Sequence, residues 1–230
     1  MEGPLRALLA ALVLLVLPVS ANAQNVDDSK RGIYFELRGG LNYLTDSNID
    51  IAGVSGADIE AQFDHGYVVE GAIGYEHSSG FRGEIAVGYR SNDIDDATVN
   101  GVSVATFCTS LGVGCSGDVQ TYSFMANGYY AFNVGGGFKP FIGAGIGAAV
   151  VDGEVQVSVP GIGSASVSDD DTVFAYQGIA GVEYQFPTDL GPIALGMRYT
   201  YFATTDPEFG GVVSGEYSSH SVLAGVRIIR

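Results

Sequence analysis

The chain has 230 residues, with 10 Lys plus Arg against 26 Asp plus Glu and a formal net charge of −16. Because phosphate contacts require Lys and Arg, this balance argues against nucleic acid as a partner. The mean hydropathy is +0.23 and 34 residues are Gly. The chain is therefore too apolar to be disordered and long enough for one folded domain.

Residues 1–23 have the pattern of a secretory signal peptide. Arg6 precedes an apolar run at 8–17, and the Ala-Asn-Ala sequence at 21–23 matches a small-x-small cleavage site. The run is shorter than the ~20 residues that a membrane-spanning helix requires. We therefore predict an exported domain comprising residues 24–230.

From residue 32 onward, apolar residues recur with a period of two, which predicts β-strands. The segments are longer than the 5–6 residues typical of soluble strands. Eight strands are predicted, at 32–44, 65–77, 81–91, 119–132, 138–151, 172–186, 192–203 and 217–229.

The connections alternate between long loops and short turns. The four long loops are predicted at 45–64, 92–118, 152–171 and 204–216. This alternation places the long loops at one end and both termini at the other, as in outer-membrane barrels, whose long loops are extracellular. The predicted fold class is all-β, an eight-stranded antiparallel up-and-down transmembrane β-barrel.

The two faces of the predicted strands differ in chemistry. One face is aliphatic in the middle and aromatic near the ends, as at Phe81, Ile85, Val87 and Tyr89. Such a distribution is typical of a lipid-facing surface, since aromatic rings favour the membrane interfaces. The opposite face carries five Glu and five Arg, which would neutralise one another inside a barrel. The predicted interior charges are Glu36, Arg38, Glu70, Glu76, Arg82, Glu84, Arg90, Glu183, Arg198 and Arg227.

A soluble lipocalin-like ligand carrier is the alternative fold that the same period allows. Such a barrel also has eight strands, but its charged face meets water and its apolar face encloses a ligand. The strand lengths, the terminal aromatic residues and the loop asymmetry favour the membrane barrel.

Two segments resemble a known family. GYEHSSGFRGE (74–84) and KPFIGAGIG (139–147) are similar to segments of the OmpA/OmpX-like eight-stranded outer-membrane proteins, in particular surface antigens that consist of a stand-alone barrel. The resemblance implies a Gram-negative outer membrane, contact with its lipids and lipopolysaccharide, and assembly by the barrel-insertion machinery. The family usually ends its last strand with an aromatic residue, whereas this strand ends with Arg230.

The four long loops contain 17 acidic residues, Asp46, Asp50, Asp58, Glu60 and Asp64 among them, and no Lys or Arg. Their negative field favours contact with cationic peptides or host surfaces. Binding of Ca²⁺ or Mg²⁺ is a further hypothesis, because carboxylates are the ligands that these ions prefer. The densest clusters are at 93–96 and 169–171, and their spacing matches no defined calcium loop.

Cys108 and Cys115 lie in the second long loop of an exported chain. Oxidising compartments favour disulfides, so we predict that these two residues are bonded. Closing so short a loop contributes ~2–3 kcal/mol by the chain-entropy relation.

No catalytic residue, cofactor or metal site is predicted. His220 stands between Ser219 and Ser221, but neighbours along a strand point to opposite faces and are poorly placed to form a Ser–His pair. The predicted function is non-enzymatic and concerns structure or surface contact: envelope integrity, adhesion or display of a surface antigen. The alternative is a narrow porin-like channel for small cations, although an eight-stranded lumen is only about wide enough for its own side chains.

Overall fold

The structure is a computed structural model. It describes residues 32–45, 47–51, 59–63, 65–99, 102–134, 137–188, 191–205, 207–209, 213–215 and 217–230. The predicted signal peptide lies outside the described residues, as do Asp46, Asp58 and Asp64.

The described chain consists of strands and one short helix. In chain order the elements are β1 (Gly32–Leu44), β2 (Ser47–Ile51), β3 (Ile59–Phe63), β4 (His65–Glu76), β5 (Phe81–Val99), β6 (Val102–Ser103), α1 (Val104–Ser110), β7 (Gly114–Ala131), β8 (Phe138–Val159), β9 (Gly163–Phe186), β10 (Ile193–Thr204), β11 (Glu208–Phe209), β12 (Val213–Gly215) and β13 (Ser218–Ile229).

Eight of these strands form a closed barrel. β1, β4, β5, β7, β8, β9, β10 and β13 pair in this order, each antiparallel to the next. β13 also pairs with β1, from Ile229 opposite Tyr34 to Ser219 opposite Leu44, and this pairing closes the ring. The prediction of an eight-stranded antiparallel up-and-down barrel is confirmed.

The outward face of the barrel is apolar and its inward face is polar. On β5, Phe81 is 61% and Val87 is 57% exposed. The inward residues of the same strand, Arg82, Glu84 and Arg90, are buried. A lipocalin-like carrier requires the opposite orientation, with apolar side chains inside. The alternative of a soluble carrier is therefore wrong.

The outward face ends, toward the long connections, in a row of aromatic residues that includes Tyr67, Tyr89 and Tyr122. Four strands continue well past this outer aromatic row. β5 still pairs with β7 at Asp93 and Asp118, and β8 pairs with β9 up to Val159 opposite Gly163. Much of 92–118 and most of 152–171, the second and third predicted long loops, therefore continue as paired strands. We call this part of β5, β7, β8 and β9, beyond Arg90, Gln120, Val151 and Asp171, the sheet extension.

The polarity of the two faces reverses in the sheet extension. Because side chains alternate along a strand, Asp152, Glu154 and Gln156 continue the outward face of β8, while Val155 and Val157 continue its inward face. The outward face thus becomes polar where the apolar belt ends. This reversal places the boundary of the membrane just beyond the outer aromatic row, on the side of the long connections.

Helix α1 lies at the loop end, the end of the barrel that carries the long connections. Ser103 caps it by accepting a hydrogen bond from the Thr106 amide at 3.0 Å. The Cys108–Cys115 disulfide joins the helix to β7. No helix in the described part of the chain is long and apolar enough to cross a membrane.

The reversal of polarity predicts where an added charge is costly. Ile85 lies in the middle of the apolar belt, so Ile85→Arg should lower the free energy of unfolding by about 2–4 kcal/mol. Gln156→Arg, on the outward face of the sheet extension, should change it by less than about 0.5 kcal/mol. Reversible urea unfolding from phospholipid vesicles measures both, and equal losses would contradict this membrane boundary.

Candidate functional site

The lumen holds all ten of the predicted interior charges. Nine of the ten residues are buried, and Glu36 is half-buried with a side chain only 9% exposed. They occupy alternate positions on six of the eight barrel strands, because every second side chain of a barrel strand points inward. The charges form two groups at different heights.

The first group, the middle cluster, is arranged around Arg38. Its guanidinium donates to Glu70 and to Glu84, both at 2.7 Å. Glu70 also accepts from Arg90 at 2.7 Å. Three Arg and three Glu make this cluster neutral, since Arg198 pairs with Glu36 beside it.

The second group, the turn-end cluster, lies toward the short turns. Glu183 accepts from Arg82 at 2.7 Å and from Arg227 at 2.6 Å. Glu76 lies 3.3 Å from Arg227 and 3.8 Å from Lys139. Lys139 was missing from the predicted interior charges. It lies two residues before the buried Phe141 on β8, so both side chains are on the inward face.

Aromatic rings fill the space between the charges. The guanidinium carbon of Arg90 lies 4.1 Å from the ring centre of Phe202, and that of Arg82 lies 5.0 Å from Phe141. Such cation–π contacts favour buried guanidinium groups. Glycines on β8 leave the room for this packing, because a Cβ on Gly143 would collide with the Tyr129 ring.

The loop end of the lumen contains a buried apolar cluster, which the sequence analysis did not predict. The Tyr217 hydroxyl in this cluster accepts a hydrogen bond from Thr121 at 2.8 Å. The cluster consists of Leu44, Met125, Ala149, Val151, Val173, Ala175, Phe202 and Tyr217. Polar side chains share this end of the lumen, because Asn42 and Asn92 are buried there and joined by a hydrogen bond of 2.6 Å.

The inward side chains at mid-barrel are almost completely buried, with Arg38 2% and Arg90 0% exposed. A cavity of about 10 Å³ lies between the two charge clusters, beside Glu36, Arg198 and Arg227. This volume is about that of one water probe. The side chains therefore fill the barrel rather than line a pore.

The outward face of the sheet extension carries an acidic patch, defined as Asp93, Asp118, Asp152, Glu154 and Asp170. Asp118 is opposite both Asp93 and Glu154, and Asp152 is opposite Asp170. Like charges directly opposite one another destabilise a sheet. Partial desolvation and the charges of Asp170, Asp118 and Glu154 raise the pKa of Asp152.

The remaining candidates from the sequence are the two cysteines and the residues around His220. Cys108 and Cys115 are bonded through their sulfurs. Ser221 is buried and donates to Asn42 at 2.6 Å, whereas His220 contacts the Tyr199 hydroxyl. Within the described residues, no group of three or more His, Cys, Asp or Glu is placed to hold a metal ion.

A family model agrees with this architecture. The model of the outer membrane protein beta-barrel domain matches residues 9–227. The chain belongs to this family. It lies in the outer membrane, so the apolar belt of the barrel faces lipid.

Several solved structures of outer-membrane proteins are similar to this chain. A major outer membrane protein of Thermus thermophilus is 12% identical, with a TM-score of 0.51 over 85% of this chain and 99% of that one. Neisserial surface protein A is 18% identical, with a TM-score of 0.46 over 86% of this chain and 98% of that one. The protease OmpT of Escherichia coli is 10% identical, with a TM-score of 0.41 over 86% of this chain and 97% of that one. At these identities the likeness concerns the fold alone, and no curated protein matches the chain.

The middle cluster predicts a large cost for removing its central cation. Arg38→Met leaves Glu70 and Glu84 without their shared partner and should lower the free energy of unfolding by about 3–5 kcal/mol. Lys139→Met, which removes a partly exposed cation 3.8 Å from Glu76, should cost about 0–1 kcal/mol. Urea unfolding from vesicles tests both variants. A loss at Arg38 no larger than that at Lys139 would contradict the role given to this network.

Proposed function

We propose that the chain is a non-enzymatic outer-membrane protein with a structural and surface-contact role, such as envelope integrity, adhesion or antigen display. The observation that carries the proposal is the sheet extension with its acidic patch. The described strands beyond the apolar belt present a charged sheet surface, while the lumen is filled by the barrel's own side chains.

The filled lumen supports a role that does not involve transport. Arg38, Glu70 and Glu84 are held by short ion pairs in mid-barrel. Further along β1 toward the loop end, Leu44 belongs to the apolar cluster that also contains Phe202. A hydrated cation would have to break these pairs and then pass the apolar cluster, and each step is costly. The narrow cation channel is therefore the weaker candidate.

The placement of nucleophiles and bases supports a non-enzymatic role. A Ser–His pair needs mutual hydrogen-bond reach and an orienting acid. Ser221 instead bonds to Asn42, and His220 lies on the other side of the sheet against Tyr199. The exposed His77 bonds to Ser79 within the same turn at 2.9 Å.

The acidic patch supports contact with cationic groups near the membrane surface. Its carboxylates are held in opposing pairs on adjacent strands, so the patch has a cost in stability that a purely structural sheet would avoid. A concentrated negative field raises the local concentration of cationic partners. Basic segments of host or surface molecules fit this chemistry.

The proposal also includes the route to this position. The segment at 1–23 would direct export, and the barrel-insertion machinery would insert the barrel into the outer membrane. There the barrel would pack against phospholipid and lipopolysaccharide. The long connections would then face the cell exterior, as such barrels arrange them.

Adhesion of cells tests the role of the patch. Cells producing the wild type are compared with cells producing a variant neutralised at all five acids, four by Asp→Asn and one by Glu154→Gln. We expect several-fold weaker adhesion of the variant to polylysine-coated surfaces and to epithelial monolayers at low salt, and a smaller difference at high salt because salt screens the charges.

A matched control changes the same surface without changing its charge. Ser116→Ala, Ser158→Ala, Ser164→Ala and Ser166→Ala should leave adhesion at the wild-type level, and a heat-dependent mobility shift on SDS gels verifies folding. If the neutralised variant adheres as the wild type does, the contact role of the patch is wrong. Steady cation-selective openings in planar bilayers would instead favour the channel.

A further inference from the structure

The lipid-facing surface of the barrel contains a groove of about 750 Å³. It crosses the strands where β1 and β13 close the ring, and extends over β10 and β9. This volume is within the range of sites that bind small molecules, about 300–1,000 Å³. A second outward groove, of about 470 Å³, lies beside Ile33, Ile73 and Ile85.

Small residues create the groove. Gly39 and Ala224 are paired directly across the β1–β13 seam, and both belong to the outward face. Val69 and Met197 flank this pair on the neighbouring strands. The absence of large side chains at the two central positions leaves a depression between larger walls.

The row beneath this pair leads toward the turn end. Leu37 is opposite Val226, Val226 is opposite Leu195, and Leu195 is opposite Tyr184. The rings of Tyr184 and Phe138 pack edge to face at 4.9 Å. Aromatic residues at the end of a belt lie at the level of the lipid headgroups. The groove therefore runs from the headgroup level into the hydrocarbon.

A cation lies below the groove on the same outward face. Val226, Ile228 and Arg230 are successive outward residues of β13 and its end, and Arg230 is exposed. The Arg230 amide donates to Ile33 at 2.8 Å, which fixes the backbone there. A guanidinium at this level can pair with a phosphodiester in two parallel hydrogen bonds.

We propose that this groove binds one acyl chain of an anionic glycerophospholipid, with Arg230 holding the phosphodiester group. The lipid belongs to the leaflet at the turn end, which barrels of this family direct to the periplasm. The groove receives the chain because the surrounding belt is in hydrocarbon, and Arg230 selects the headgroup by charge.

The test is native mass spectrometry of the full chain in nanodiscs made of equal parts phosphatidylglycerol and phosphatidylethanolamine. We expect the wild type to retain one phospholipid, predominantly phosphatidylglycerol. Ala224→Leu fills the groove and should reduce retention several-fold, because the acyl chain loses its van der Waals contacts with the groove walls. Arg230→Gln should retain lipid without preference for the anionic headgroup.

Ala144→Leu is the matched control, since Ala144 is also a lipid-facing alanine but lies on β8, outside the groove. It should retain lipid as the wild type does, and a heat-dependent mobility shift verifies that every variant is folded. Equal retention by Ala224→Leu and Ala144→Leu would overturn the acyl-chain site. An unchanged headgroup preference in Arg230→Gln would overturn the role of that residue.

A second copy of the chain is the other conceivable occupant, and the same spectra distinguish it. A lipid-free dimer of the wild type that dissociates in Ala224→Leu would overturn the proposal and identify the groove as a protein interface. Cell adhesion does not depend on this groove, so failure here leaves the proposed surface-contact role unaffected.

Discussion

The pairing of β1 with β13 is the constraint on which the rest of the structure depends. Hydrocarbon offers no hydrogen-bond partners, so every backbone amide and carbonyl within the membrane must bond inside the sheet. The ladder from Tyr34–Ile229 to Leu44–Ser219 removes the two edges that an open sheet would expose to lipid. Once the sheet is closed, alternate residues have only two environments, lipid or lumen.

The two environments explain the distribution of charge. An Arg or Glu inside the barrel is far from water, and a lone buried charge is costly. The lumen meets this requirement by sharing carboxylates, as Glu70 does between Arg38 and Arg90, and Glu183 between Arg82 and Arg227. The acids outside the lumen include the acidic patch, which is the surface on which the proposed contact role rests.

Period-two alternation was enough to predict the barrel strands and the side of each charge. β1 has the predicted bounds, and all ten predicted charges face the lumen, because parity depends only on local geometry. The alternation along a strand does not, however, give the level of a side chain along the barrel axis. Which Arg meets which Glu depends on the stagger of strands far apart in sequence, such as Arg198 and Glu36, so the two clusters could not be derived.

Other features were missed for related physical reasons. The sheet extension was taken for loops because its outward residues, such as Asp152 and Gln156, are polar, and a membrane strand is expected to be apolar outside. The strand continues there, but in water, so its faces exchange character. The apolar cluster around Phe202 was missed because a polar lumen was assumed along its whole length, although Met125 and Val151 have inward parity.

Spin labels on β5 test the central claim, the orientation of the two faces, most directly. In a chain whose two cysteines are replaced by serine, single nitroxides are placed at Ile85, Ala86 and Val87, and collision rates with oxygen and with a water-soluble nickel complex are measured in vesicles. The account predicts high oxygen access at Ile85 and Val87 and low access to both reagents at Ala86. Oxygen access that is highest at Ala86, with nickel reaching Ile85 and Val87, would contradict it.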